Sequence, residues 1–93
     1  SVQRFDKTVE NYLKYRPSYP KEVYSLLAKQ FSLQPANIIA DIGSGTGFLS
    51  KLFLEQGHTV YGIEPNKKMR MAAEKYLSAC QGFYSIDGTA EYT

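Results

Sequence analysis

The chain has 93 residues, with 11 lysines and arginines against 9 aspartates and glutamates and a net charge of +2. That length allows one domain burying about 60–65% of its unfolded surface, and the balanced charge without a long basic run gives no electrostatic footprint for nucleic acid. No stretch approaches the roughly 18 apolar residues that span a bilayer and no charged-then-apolar leader opens the chain, so a cytoplasmic protein with neither membrane nor nucleic-acid partners is expected.

Phe5, Val9, Tyr12 and Leu13 recur at helical spacing, which predicts a short amphipathic helix from about Asp6 to Lys14. It must stop before Tyr15-Arg16-Pro17-Ser18-Tyr19-Pro20, because each proline lacks an amide hydrogen and drives the residue before it toward extended backbone. Pro20 suits the first turn of a second helix, whose inner face is read as Val23, Leu26, Leu27, Gln30 and Phe31. Ser32 to Asn37 then carry the chain to a first strand.

The segment Ile38-Ile39-Ala40-Asp41-Ile42-Gly43-Ser44-Gly45-Thr46-Gly47 organises the rest. An apolar run ends in an acid, breaks into three alternate glycines and runs into the apolar-periodic Phe48 to Phe53, the pattern of strand, tight turn and helix. Residues without Cβ atoms let the turn take positive φ and let a ligand lie against main-chain amides at the helix start. Leu49, Leu52 and Phe53 form the buried stripe of this helix, which stops at Gln56-Gly57. Thr59 to Ile63 reads as a second buried strand ending on Glu64, about twenty residues after the first glycine, the spacing at which an acid meets ribose hydroxyls in a βαβ nucleotide fold.

Asn66 is a good N-cap for the next helix, read as burying Met69, Ala72, Ala73, Tyr76 and Leu77, with Lys67, Lys68, Arg70 and Lys75 on a solvated outer face. Gly82 to Ile86 reads as a third short strand. Cys80, the single cysteine, has no disulfide partner and is expected to be a buried inert thiol near a helix end. His58, the single histidine, is read as a surface turn residue, and no cluster at ligand spacing predicts a metal.

Asp41-Ile42-Gly43-Ser44-Gly45-Thr46-Gly47, then Tyr61-Gly62-Ile63-Glu64-Pro65-Asn66 and Met69, resemble the first two cofactor motifs of class I S-adenosylmethionine-dependent methyltransferases. The resemblance covers about the last two-thirds of the chain. It implies an α/β fold, a Rossmann-like doubly wound parallel sheet of which only the first three strands and their helices are present. Residues 1–34 are then N-terminal lid helices with a proline-rich loop, and 35–93 the cofactor-binding half.

By the same resemblance, S-adenosylmethionine is the cofactor and S-adenosylhomocysteine its product. Asp41, Gly43, Ser44, Gly45, Thr46 and Gly47 form its cradle, and Glu64, Pro65 and Met69 the ribose and adenine side. Asp87, Thr89 and Ala90 read the adenine edge; Thr89 stands where many members carry aspartate. Tyr15 and Arg16 of the lid reach toward the cofactor carboxylate, the arginine by charge-assisted hydrogen bonding. Methyl transfer to a small-molecule acceptor is implied, with no catalytic base identified. The resemblance also places the missing strand beside the free edge of strand one, so the chain is expected to be a trimmed part of a longer protein or to self-associate through that edge. A nicotinamide-dependent oxidoreductase half-domain and a non-enzymatic cofactor-binding or interaction module stay open as alternatives.

Overall fold

In a computed structural model, residues 2–6 and 20–88 are described. They form a parallel sheet of four strands in the order β1 (Val2–Phe5), β2 (Ile38–Ile42), β3 (Thr59–Glu64) and β4 (Phe83–Asp87). The helices are α1 (Pro20–Gln30), α2 (Phe48–Glu55) and α3 (Lys67–Tyr76). This is the expected α/β Rossmann-like architecture with one strand more than expected.

The additional strand is β1. Its register runs Val2 opposite Ile38 through Phe5 opposite Asp41, so the chain's own first residues pair with the edge of β2 that the sequence reading left open. Phe5 therefore begins no helix. It is 1% exposed and sits 4.9 Å from the Phe31 ring and 4.8 Å from that of Phe53. Apart from Asp6, which lies in no helix, the helix expected over Asp6 to Lys14 falls outside the described residues.

Burial alternates along β2 and β3. Ile39 and Val60, paired in register, are fully buried and join Leu27, Leu49, Phe53 and Leu77 in one core, so all three helical layers lie on the same side of the sheet. The reason is topological: each strand is added on the same side of the one before it, and right-handed crossovers taken in one direction keep their helices on one face. The opposite face carries Ile38, Ala40, Ile42, Tyr61 and Ile63, all partly exposed, together with Tyr84. The Tyr61 and Tyr84 rings stack there with centroids 5.0 Å apart.

His58 is a correction to the sequence reading. Instead of lying on the surface it is 2% exposed, with Nδ1 2.9 Å from the Asn37 carbonyl oxygen and Nε2 2.7 Å from the Tyr24 hydroxyl. A carbonyl only accepts, so in the neutral ring Nδ1 carries the proton and Nε2 accepts from Tyr24. The imidazole thus ties α1 and the approach to β2 to the start of β3. Cys80 is half-buried, as a free thiol against the core.

The α3 face also differs from its expectation. Ala73 and Leu77 are buried, but Met69 and Tyr76 are 46% and 51% exposed and Ala72 is exposed. Tyr76 instead lies under Lys51, whose ammonium is 4.9 Å from the ring centroid.

Three measurements test this packing. Phe5→Ala should lower the unfolding free energy in urea by about 3–5 kcal/mol, the usual cost of emptying a buried phenylalanine site; a loss below about 0.5 kcal/mol would mean that β1 is not docked. His58→Leu should cost about 1–3 kcal/mol, because it leaves the Asn37 carbonyl and the Tyr24 hydroxyl without their partner, and adding Tyr24→Phe should cost less than the two single effects together. Burial holds the Tyr24 phenol above its ordinary value of 10.0. The folded state then binds this proton more tightly than the unfolded state, so its stabilisation is complete below the ordinary phenol range and is lost as pH rises through the raised value. Tyr24→Phe should flatten that alkaline slope in thermal melts.

Candidate cofactor site

The carboxyl ends of β2, β3 and β4 meet around the turn Gly43 to Gly47. The turn is anchored from below, since the Gly43 and Ser44 amides donate to the Ile63 carbonyl at 2.7 and 3.2 Å. Gly47, with φ 95°, opens α2 without a side-chain cap. A Cβ there would come within 2.9 Å of Leu77 Cδ1, so glycine is also required for α3 to close onto the helix start.

Gly45 is different. Its φ is 58°, yet a Cβ would meet no protein atom within 4 Å. The turn's crest is therefore bare backbone facing open space, and a side chain there would fill the cradle in addition to straining the main chain.

Glu64 sits against this crest. Its side chain is almost fully buried at 6% exposure. Oε1 accepts from the Gly45 amide at 2.7 Å, and Oε2 accepts from the Asn66 amide at 2.8 Å. One carboxylate thus clasps the glycine turn with one oxygen and the start of α3 with the other. Each oxygen has a second lone-pair direction, so the clasp leaves acceptor capacity for hydroxyl donors. Asn66 caps α3 as expected, its side-chain oxygen accepting from the Met69 amide at 3.0 Å.

The other expected site residues separate into two groups. Thr46, Pro65, Met69 and Asp87 are exposed around the rim. Asp41 and Ser44 are buried at 1% and 3%. The Asp41 carboxylate accepts from the Ser50 hydroxyl at 2.7 Å, which braces the strand end against α2 from within. A Cβ on Gly62 would stand 2.7 Å from the Phe83 ring and 3.1 Å from Ser44 Oγ, so glycine in mid-strand makes room first for that ring and then for the turn above β3. Tyr15, Arg16, Thr89 and Ala90 lie outside the described residues.

One contributor was missed by the sequence reading. Arg70, assigned there to the outer basic face, turns inward, and its side chain is only 16% exposed. Its Nη1 donates to the Glu64 carbonyl at 2.9 Å. The signal was present, because Arg70, Ala73 and Leu77 stand at i, i+3 and i+7 on one helical stripe. No metal-binding cluster occurs among the described residues, and none of their helices is long and apolar enough to cross a membrane.

A cavity of about 490 Å³, lined by His58, Thr59, Cys80 and Gly82 among others, opens at the amino ends of β3 and β4. It lies at the far end of the strands from the glycine turn.

Comparison with known proteins agrees with this geometry. Residues 40–91 match the family model described as a methyltransferase domain. The chain is 38% identical over 74 residues to an uncharacterized methyltransferase of Geobacillus sp. strain WCH70, covering 78% of this chain and 34% of the relative. It is 39% identical over 76 residues to one of Geobacillus thermodenitrificans, covering 80% and 34%. Against one of Bacillus cereus the identity is 49% over 39 residues, 42% of this chain and 18% of the relative. The chain thus spans about a third of the length of the first two relatives. No solved structure matches it significantly. With the glycine turn, its acid partner and the β4 end all inside the matched region, the chain belongs to the class I methyltransferase domain family.

Proposed function

We propose that this chain carries the S-adenosylmethionine-binding part of a methyltransferase that acts on a small organic acceptor. One observation carries the reading: bare backbone at Gly45, with open space above it, stands 2.7 Å from a buried carboxylate that keeps acceptor capacity. A nucleoside with two vicinal hydroxyls fits that pairing. Backbone amides of the turn and the rim residues Thr46, Pro65 and Met69 would hold the remainder of the ligand, with Asp87 at the adenine edge.

The cofactor, when bound, supplies a methyl group already activated by a positive sulfur. The protein's part is to bind, align and exclude water, which is worth up to about 7–11 kcal/mol when the geometry is ideal. Glu64 fixes the ligand's orientation through its hydroxyls. Gly45 supplies close approach to the turn, while Asp41, through Ser50, holds the turn's entry rigid.

Tyr15 and Arg16 are proposed as lid contacts to the cofactor carboxylate, and Thr89 and Ala90 as readers of the adenine edge. Support for the lid comes from β1, whose last paired residue, Phe5, lies opposite Asp41; the chain therefore leaves the sheet beside the glycine turn. A cytoplasmic setting is proposed with the same reading.

Calorimetric titration of S-adenosylhomocysteine into the chain tests it. Micromolar binding is expected. Gly45→Val should abolish it by filling the cradle at a left-handed residue, and Glu64→Ala should weaken it by about 10- to 100-fold, about 1.4–2.7 kcal/mol. Absence of binding to the folded wild-type chain, or preferential binding of NAD, would overturn the proposal.

A further inference from the structure

We propose that Arg70 is the positioning residue of the adenosine side of this site, acting through the main chain of Glu64. The inference rests on the cofactor reading above and adds to it a residue that touches no part of the ligand.

The Glu64 carbonyl oxygen is where three elements are joined. It accepts from Arg70 Nη1 at 2.9 Å, out of α3, and from the Gly88 amide at 3.2 Å, at the end of β4. The same Nη1 lies 3.4 Å from the Pro65 carbonyl and 3.4 Å from Asp87 Oδ1. One guanidinium therefore holds the last residue of β3, the residue after it and the last residue of β4. A lysine carries its ammonium on a flexible stem, without the planar, pre-organised guanidinium that holds Nη1 among those oxygens.

The Asp87 contact alone does not explain an inward arginine. Asp87 is 50% exposed, and ion pairs open to solvent contribute little. The contact with the Glu64 carbonyl is better sheltered, and it and the Gly88 amide's bond to the same oxygen fix the backbone of the residue whose carboxylate is proposed to meet the ribose. Tolerance around them is small: a Cβ on Gly88 would stand 2.9 Å from Pro65 Cδ and 3.2 Å from the Glu64 carbonyl carbon. A shift of the Glu64 peptide is transmitted to its carboxylate, and so to the clasp on Gly45 and Asn66.

A merely structural arginine and a positioning one make different predictions, because only the second affects recognition of the ribose hydroxyls selectively. The experiment is titration of S-adenosylhomocysteine and of its 2′-deoxy analogue into wild type, Arg70→Met and Arg70→Lys, with a thermal melt of each. Arg70→Met should lose about 10- to 30-fold in affinity for S-adenosylhomocysteine but less than about 3-fold for the deoxy analogue, so that discrimination between the two collapses. Arg70→Lys should fall between wild type and Arg70→Met. Unchanged affinity in Arg70→Met, or equal loss for both ligands in Arg70→Met and Arg70→Lys, would overturn the inference while leaving the cofactor reading intact. Failure of the wild-type chain to bind either ligand would overturn both.

Discussion

The structure depends most on one carboxylate held between two loops. Glu64 lies at the end of a strand, nearly without exposure, with an amide on each oxygen. A buried carboxylate is costly unless it is hydrogen-bonded, and here the two donors come from the glycine turn and from the start of α3. Satisfying the charge therefore fixes the distance between the two segments that define the site. The acid is a structural fastener, and the ligand contact proposed for it uses the acceptor capacity that the same geometry leaves.

Around that fastener the glycines divide their work. Gly45 keeps the crest open, Gly47 admits α3 through Leu77, and Gly62 makes room for the Phe83 ring beside Ser44. Buried Asp41 supports the same turn from beneath through Ser50. A motif that reads as a run of small residues and an acid is in space a set of clearances, of which only the one at Gly45 faces outward. The others serve the stacking of turn, helix and strand.

Much of this was legible in the sequence, and the omissions have physical causes. The strand from Ile38, the turn, α2 and β3 are local patterns, and periodicity together with positive-φ positions reports them well. Phe5 was misread because a four-residue strand offers one clear inward residue, and its spacing to Val9, Tyr12 and Leu13 imitates a helix. Arg70, Met69 and Tyr76 were misassigned because long side chains combine apolar stems or rings with polar ends, so that type alone does not fix which way they face. His58 was read as exposed because a turn position says nothing about a tyrosine thirty-four residues earlier that closes over it. The resemblance to methyltransferases singled out both the glycine turn and Glu64. How the acid connects them is a tertiary fact, as is the guanidinium behind them.

The one-directional order of the strands also bears on how such a chain assembles. Ile38 pairs with Thr59, and Val60 with Phe83, so β2, β3 and β4 join across segments of similar, moderate length. The pairing of Val2 with Ile38 closes a longer one. Loop-closure entropy rises slowly, by about 0.6 kcal/mol for each doubling of length, so this difference hardly affects equilibrium stability. It does affect sequence in time, because on a ribosome β1 emerges before β2, the strand it pairs with. β1 can dock only onto a neighbour made later, and the Phe5 side chain, 1% exposed in the finished core, is apolar surface that stays uncovered until β2 and the Phe53 ring of α2 have been made.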